Sequence, residues 1–404
     1  MENSWAHKTL GELFVFKNGL NKGKEYFGYG TPIINYMDVY KHPAIKKKYV
    51  QGRVTLSHQE LDRFRVLKGD VFFTRTSETP EEVGMSATLL EDIPNCSFSG
   101  FVLRARPLTD LLIPEYCVYA FTAKEIRASI IKNCTYTTRA LTNGRVLASL
   151  KLPIPSFSEQ QRIASALSDA DALVAELDAL IEKKRAIMAG TMQELLTGKR
   201  RLQGFDEPWV DVVFGDKIKI YRGGSPRPIE SYLTNNPNGL NWIKIGDARP
   251  GDKYITKTSE KIIPEGLGAT RAVYSGDFLL SNSMSFGRPY ILKIDGCIHD
   301  GWLSITEYQE TFDRDFLYYL LGSDAILQKF KTLAAGSGVQ NLNKKLVADM
   351  ELQIPSSLAE QHAIATILSD MDAEIAELEA KRDKYKEVRQ GMMQQLLTGK
   401  IRLI

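Results

Sequence analysis

The sequence predicts a mixed α/β (α+β) chain. Two similar sheet-and-helix domains alternate with two long helices that pair as an antiparallel coiled coil, giving the chain an internal pseudo-two-fold. Three observations predict it. The stretch from Glu159 to Leu202 returns from Glu360 to Leu403 with about half of its positions identical at one fixed offset, well beyond shared helical composition. Apolar residues within each copy recur at spacings of four and three, the pattern of a heptad seam. The segment before each copy carries the same landmarks in the same order, so the duplication covers whole domains.

Taken in order, the first domain spans residues 1–155 and opens on Trp5 to Gly11, matched by Trp209 to Gly215. Each leads into a strand-like run and then Gly19 or Gly223. The apolar strands Ile33 to Asp38 and Trp242 to Asp247 both close on an aspartate. Gly69-Asp70 and Gly276-Asp277 each start a turn, followed by a buried strand (Val71 to Thr74, Phe278 to Ser281) with polar residues at its exit. Ser99-Gly100-Phe101 lines up with Asp300-Gly301-Trp302. One helical segment is then expected in each half, Pro114 to Ile130 and Arg314 to Phe330, before a strand ending in Ile-Pro at Pro155 or Pro355.

The long helices are expected at 156–203 and 357–404, with the second domain, 204–356, between them. The first seam runs through Ile163, Leu167, Ala170, Val174, Leu177, Ile181, Met188 and Leu195; the second through Ile364, Leu368, Met371, Ile375, Leu378, Tyr385, Met392 and Leu396. Neither copy contains proline. Each ends at Leu-Leu-Thr-Gly-Lys, where Gly198 or Gly399 suits the left-handed position that closes a helix. At 1.5 Å per residue each helix is on the order of 50–60 Å long. A lone seam needs a partner, and its own repeat supplies one. Parallel and antiparallel pairings are both open to the chain; the antiparallel one makes the two seams equivalent and is preferred.

Composition sets outer bounds. The 404 residues are 43% hydrophobic and 25% charged, with net charge +3, which neither demands nor excludes nucleic acid. No apolar signal core or membrane span is visible, and Cys96, Cys117, Cys134 and Cys297 are scattered, so a reducing cytoplasm without disulfides or a zinc site is expected. Catalytic patterns fail one by one. Thr-Gly-Lys at Thr197 and Thr398 lacks the earlier glycine of a phosphate loop (Gln193 and Gln394 stand there) and follows a helix instead of opening one. No Gly-x-Gly-x-x-Gly, His-Glu-x-x-His or Gly-x-Ser-x-Gly occurs. His299 beside Asp300 reads as a structural turn, not a general base. The expectation is therefore no catalytic residue, no metal ligand and no cofactor bound by this chain.

Basic, polar and aromatic residues do collect at strand exits and in loops the repeat does not match, such as Lys41 to Arg53 and Tyr221 to Asn238. In the first domain the candidates for DNA contact are Lys22, Lys24, Tyr26, Lys46, Lys47, Lys48, Arg75, Thr76 and Arg139. In the second they are Arg222, Ser225, Arg227, Lys244, Asn282, Arg288, Asn341 and Asn343. Lys and Arg suit phosphates, while Arg and Asn can make paired hydrogen bonds to base edges. A plain solvated surface and a coiled-coil adaptor without DNA contact stand as alternatives.

With these motifs in hand, the chain resembles the DNA specificity subunits of type I restriction–modification systems. The resemblance covers essentially the whole chain: two domains opening at Trp5 and Trp209, the Gly-Asp strands, the Ile-Pro…Glu-Gln…Leu-Ser-x-x-Asp run at 154–171 and 354–372, and the helix ending in Leu-Leu-Thr-Gly-Lys. It implies two target-recognition domains, each reading one half of a split double-stranded DNA target. It implies helices that set the spacing and dock two methyltransferase subunits, with restriction subunits in the full complex. S-adenosylmethionine, ATP and Mg would then work on those partners, and no membrane is involved. A module of another restriction–modification class is the nearest alternative.

Overall fold

The computed structural model describes residues 5–249, 251–282, 287–335 and 342–403 (for 333–335 the backbone alone). The chain forms two compact units, one of residues 1–178 with 380–404, the other of 179–379. The units share one plan.

In the first unit a five-stranded sheet runs in the order Phe14–Asn18, Val102–Pro107, Val71–Thr74, Ser86–Leu89, Ala44–Ile45. In the second the order is Lys219–Arg222, Trp302–Thr306, Phe278–Ser281, Pro289–Leu292, Tyr254–Ile255. All neighbours are antiparallel except the last pair of each sheet. The central strands Val71–Thr74 and Phe278–Ser281 are buried at every position, as their unbroken apolar runs require. Gly69 and Gly276 precede them at φ of +90° and +99°, where a side chain would be strained. The following aspartates close the turn: Asp70 Oδ2 accepts Leu67 N at 2.8 Å and Asp277 Oδ2 accepts Tyr274 N at 2.8 Å. Asp38 and Asp247 play a similar part, accepting Asn35 N at 2.8 Å and Lys244 N at 2.9 Å. A second sheet, of three strands in the first unit and five in the second, contains a parallel pair, Phe27–Ile34 with Ser97–Phe98 and Leu240–Ile243 with Gly296–Ile298.

Three expectations change. The strands expected over Ile33 to Asp38 and Trp242 to Asp247 stop at Ile34 and Ile243, and the aspartates lie beyond them, Asp38 in the helix Tyr36–Lys41 and Asp247 in the turn Ile245–Asp247, where each caps a backbone N–H three residues back. The helical segment of each half is two helices, Pro114–Ala120 and Lys124–Asn133, then Arg314–Gly322 and Asp324–Ala335. The break is local: Ser323 Oγ donates back to Leu320 O at 2.7 Å and accepts Ile326 N, ending one helix and starting the next. The alignment of Phe101 with Trp302 also slips by one residue. Trp302 pairs with Ser281 while Val102 pairs with Thr74, the equivalent fourth residue of the Gly-Asp strand. Trp302 is fully buried and Phe101 is 67% exposed.

The long helices span Phe157–Leu195 and Leu358–Leu396, and run antiparallel. In the first unit Asp171 meets Arg389, and Asp178 meets Arg382 at 3.5 Å. In the second Lys184 meets Glu374 at 2.6 Å, and Arg201, beyond the helix, meets Glu360 at 2.7 Å. Leu177, Ile181 and Ile375 are buried, and Val174, Met371 and Leu378 half-buried. Ile163 and Leu167 enter the first unit's core beside Leu396 and Leu397; Ile364 and Leu368 enter the second's beside Leu195 and Leu196. Those four seam residues thus serve domain packing as well as helix pairing.

The repeated Trp, Glu-Gln and Leu-Leu-Thr-Gly-Lys motifs now have a common cause. Trp5 Nε1 donates to Glu159 Oε2 at 2.9 Å, and Arg402 donates to both Glu159 oxygens at 2.5 and 2.8 Å. In the second unit Trp209 Nε1 donates to Glu360 at 3.3 Å, and Arg201 to both its oxygens at 2.7 and 2.9 Å. Gly399 and Gly198 close the helices at φ of +70° and +69°, and a Cβ on either would stand 3.3 Å from the indole of Trp5 or Trp209. The glutamines hold the chain entering each helix: Gln160 donates to Leu111 O and Pro155 O and accepts Ile113 N, as Gln361 does with Thr311 O, Pro355 O and Asp313 N. The strand after each Trp pairs with the Ile-Pro strand, Ala6–Thr9 with Lys151–Ile154 and Trp209–Val213 with Glu351–Pro355.

Candidate nucleic-acid interface

In the first unit the candidate residues fall into three groups. Lys22, Lys24 and Tyr26 sit together, Lys22 Nζ lying 4.3 Å from the Tyr26 ring centroid. Its charge is already engaged, at 2.7 Å from Glu60 Oε2 and 3.0 Å from Thr55 O. That hydrogen bond, with the Ser57 N–H, holds the Glu60 carboxyl down to about 2. Lys24 is exposed and makes no side-chain hydrogen bond or ion pair among the described residues.

Lys46, Lys47 and Lys48 follow the sheet's edge strand Ala44–Ile45 and enter the turn Lys47–Tyr49. The turn is braced from beneath: Tyr49 stacks on His42 at 3.9 Å, and Lys47 N donates to Glu91 Oε2. All three ammonium groups remain exposed.

Arg75, Thr76 and Arg139 share a third place. Thr76–Ser77 pairs with Ala140–Leu141, which pairs with Thr135–Tyr136, and Arg139 lies in the connecting turn. Arg75 is partly committed, donating from Nη1 to Gly100 O at 2.8 Å. Beside it stand two exposed aromatic rings that sequence reasoning missed, Phe101 and Tyr136 (56% exposed). Phe101 was hidden by the one-residue slip against a buried tryptophan. Also missed was a basic cluster of Lys17, Arg63, Arg104 and Arg106, assembled from residues distant in sequence. Burial, then the charge of Arg104, holds the Lys17 ammonium below its ordinary range.

In the second unit Arg222, Ser225 and Asn282 converge on Asp300. Arg222 Nε donates to its carbonyl at 3.2 Å, Asn282 Nδ2 to the same carbonyl at 3.0 Å, and Ser225 Oγ to its carboxylate at 3.1 Å. Their loop is fixed against the sheet by Gly223, where a Cβ would lie 2.2 Å from His299 O. Nearby, Arg271 lies over the Tyr221 ring at 4.0 Å. Lys244 is paired with Glu260 at 2.7 Å. Arg227 and Arg288 are exposed, with no side-chain hydrogen bond or ion pair among the described residues. Asn343 caps the helix Lys344–Ala348 through Leu346 N, as Asn143 caps Gly144–Ala148. Asn341 lies outside the described residues.

His299 Nδ1 lies 2.9 Å from Asp300 Oδ1 and 3.0 Å from Gly301 N, contacts confined to its own turn. Burial pushes the Cys96 and Cys117 thiols up to about 12, leaving them protonated and unreactive at neutral pH. No group of three or more His, Cys, Asp or Glu residues suited to a metal occurs among the described residues, and no helix there is long and apolar enough to cross a membrane.

Each unit thus combines a sheet-and-helix domain, a pair of antiparallel helix segments and basic, aromatic loops. The chain belongs to the family of the type I restriction modification DNA specificity domain, which it matches twice, over residues 2–184 and 206–387. It is 27% identical to the MjaX type I restriction enzyme specificity subunit of Methanocaldococcus jannaschii, over 99% of this chain and 94% of that one. Two solved structures share the fold. One, described by complex assembly and conformational transition of a type I restriction–modification system, aligns with a TM-score of 0.65 at 20% identity over 99% of both chains. The other, the S subunit of such a system from M. genitalium, gives 0.57 at 18% identity over 98% of this chain and 97% of that one.

Proposed function

We propose that this chain is the non-catalytic specificity subunit of a type I restriction–modification complex. Each globular domain reads one half of a bipartite double-stranded DNA target, the long helices fix the gap between the halves, and two methyltransferase subunits dock on them. Methylation with S-adenosylmethionine, and ATP- and Mg-dependent cleavage through restriction subunits, belong to those partners. The observation that carries this reading is the duplication itself. One framework of Trp, Gly-Asp, Glu-Gln and Leu-Leu-Thr-Gly-Lys is built twice with the same hydrogen bonds. The basic and aromatic residues sit in loops that differ between the copies.

Specificity then arises as a sum of modest terms, about 1–3 kcal/mol per base pair, from two readers held at one spacing. The exposed cations at Lys24, Lys46, Lys47, Lys48, Arg139, Arg227 and Arg288 are the phosphate and base contacts we favour, because among the described residues none makes a side-chain hydrogen bond or ion pair. The test is methylome sequencing of cells that express this chain with its methyltransferase. One bipartite motif is expected. Exchanging residues 1–155 for the matching domain of a relative should replace one half-site and leave the other. A change in both halves, or in neither, would overturn the two-reader arrangement.

A further inference from the structure

Among the charged positions at which the two copies of the framework differ, one lies where a long helix meets the tyrosine of the domain. In the first unit the Asp171 carboxylate accepts the Tyr119 hydroxyl at 2.9 Å and is completed by the Arg389 guanidinium, from the second long helix. The repeat offset is 360 − 159 = 201, so Asp372 corresponds to Asp171, and Arg389 corresponds to Met188. The second unit therefore keeps the tyrosine, with Tyr319 OH 2.6 Å from Asp372 Oδ2, and lacks the arginine.

Space accompanies the missing group. A cavity of about 780 Å³ opens beside Asp372 within the second unit, walled by Met188 and Met192 of one helix, Tyr254 and Tyr318 of the domain, and Asp252. The neighbouring cations are engaged elsewhere: Lys253 lies 2.8 Å from Asp315, and Arg185 binds Glu182 and Glu379. Asp372 and Asp252 form no ion pair among the described residues. Burial raises the Asp372 carboxyl above the usual carboxylate range. The first unit shows which group relieves such a carboxylate when one is supplied.

Building on the reading that methyltransferase subunits dock on the helices, we propose that this cavity receives an arginine from one such subunit. That arginine completes in trans the Tyr319–Asp372 pair that Arg389 completes in cis in the other copy. Asp252, Asp315, Asp372 and Glu379 outnumber Lys253 and Arg185 in the lining, and this negative excess selects the occupant. Carboxylates repel nucleic-acid phosphates, whereas tyrosine faces and methionine thioethers accept a guanidinium plane and its aliphatic stem. Lysine could supply charge but not a planar fork that binds the carboxylate while stacking on a ring. The two docking faces are therefore unequal, one already filled by this chain's own side chain and one awaiting its partner's.

The experiment uses the full chain with its methyltransferase subunit, measuring stoichiometry by native mass spectrometry and affinity by calorimetric titration. Asp372→Asn keeps an acceptor for Tyr319 and removes the charge; it should weaken one of the two binding events about 10- to 100-fold and spare the other. Met188→Arg should fill the cavity in cis, raise the melting temperature of the free chain, and weaken the same event. In that background Asp372→Asn should add no further loss. Wild-type affinity at both sites in both variants would overturn the proposal while leaving helix docking intact. Absence of any complex with the unmodified chain would overturn the docking reading and this proposal with it. Should Met188→Arg fail to fold, the titration of Asp372→Asn decides alone.

Discussion

Truncating Arg201 to alanine gives the sharpest test of how the helix ends hold the second unit together. The Glu360 side chain is 1% exposed and takes two hydrogen bonds from Arg201, at 2.7 and 2.9 Å; afterwards, among the described residues, it keeps the 3.3 Å bond from Trp209. Leaving a buried charge without its partner costs about 3–5 kcal/mol. Arg201 is itself 30% exposed, so water can replace part of it, and about 2–3 kcal/mol is the better expectation. In a unit of this size each kcal/mol moves the melting temperature about 2–4 °C, predicting a fall of about 5–10 °C. Scanning calorimetry is the right assay, because two compact units can give two transitions and only the second should move. Pairing Arg201→Ala with Glu360→Leu removes the stranded charge and should return most of the loss. A fall below about 2 °C, or a double variant no more stable than the single one, would show that the stacked Trp209 indole, not the ion pair, fastens the helix.

Two further outcomes are expected. Arg402 foremost, then Trp5, hold the Glu159 carboxyl below its ordinary 4.5. A lowered folded value stabilises the protein above that pH and the gain is lost as pH falls through the lower value. The melting-temperature gap between wild type and Glu159→Gln should thus be constant from pH 7 to about 5 and narrow below it; a gap that ignores pH refutes the pairing. In DNA titrations at several salt concentrations, Lys47→Ala should flatten the log–log salt slope by about 0.9 and weaken all sequences alike. Arg227→Ala should instead weaken the specific target most, and Lys22→Ala should do little because Glu60 already holds its ammonium; equal effects from all three would refute the sorting by committed charge.

The long helices were legible because their signal is local and repeated: a heptad period, no proline, and a glycine at each end. The Gly-Asp turns were legible for a similar reason, since the aspartate caps a backbone N–H only three residues away. What escaped is what depends on residues far apart in sequence. Lys22 meets Glu60 across 38 positions, so nothing near Lys22 warned that its charge was taken. Phe101 was matched to a tryptophan because Gly-aromatic pairs occur at both places, and only strand register separates a solvent-facing ring from a buried one. The break at Ser323 turns on a single hydroxyl that competes with the helix for its own backbone. Glu159 and Glu360 were visible only as repeated letters, because their arginine partners lie 243 and 159 positions away.

The first unit's composition from residues 1–178 and 380–404 carries a consequence for synthesis on the ribosome. The segment 179–379 is continuous and can close as it emerges. The amino-terminal domain, although made first, must wait with Glu159 lacking Arg402 and the surface meant for Leu396 and Leu397 uncovered until the second helix is translated. A nascent chain stalled before residue 380 would expose that surface to chaperones and proteases. Incomplete products would thus be marked for removal by an unfinished amino-terminal domain.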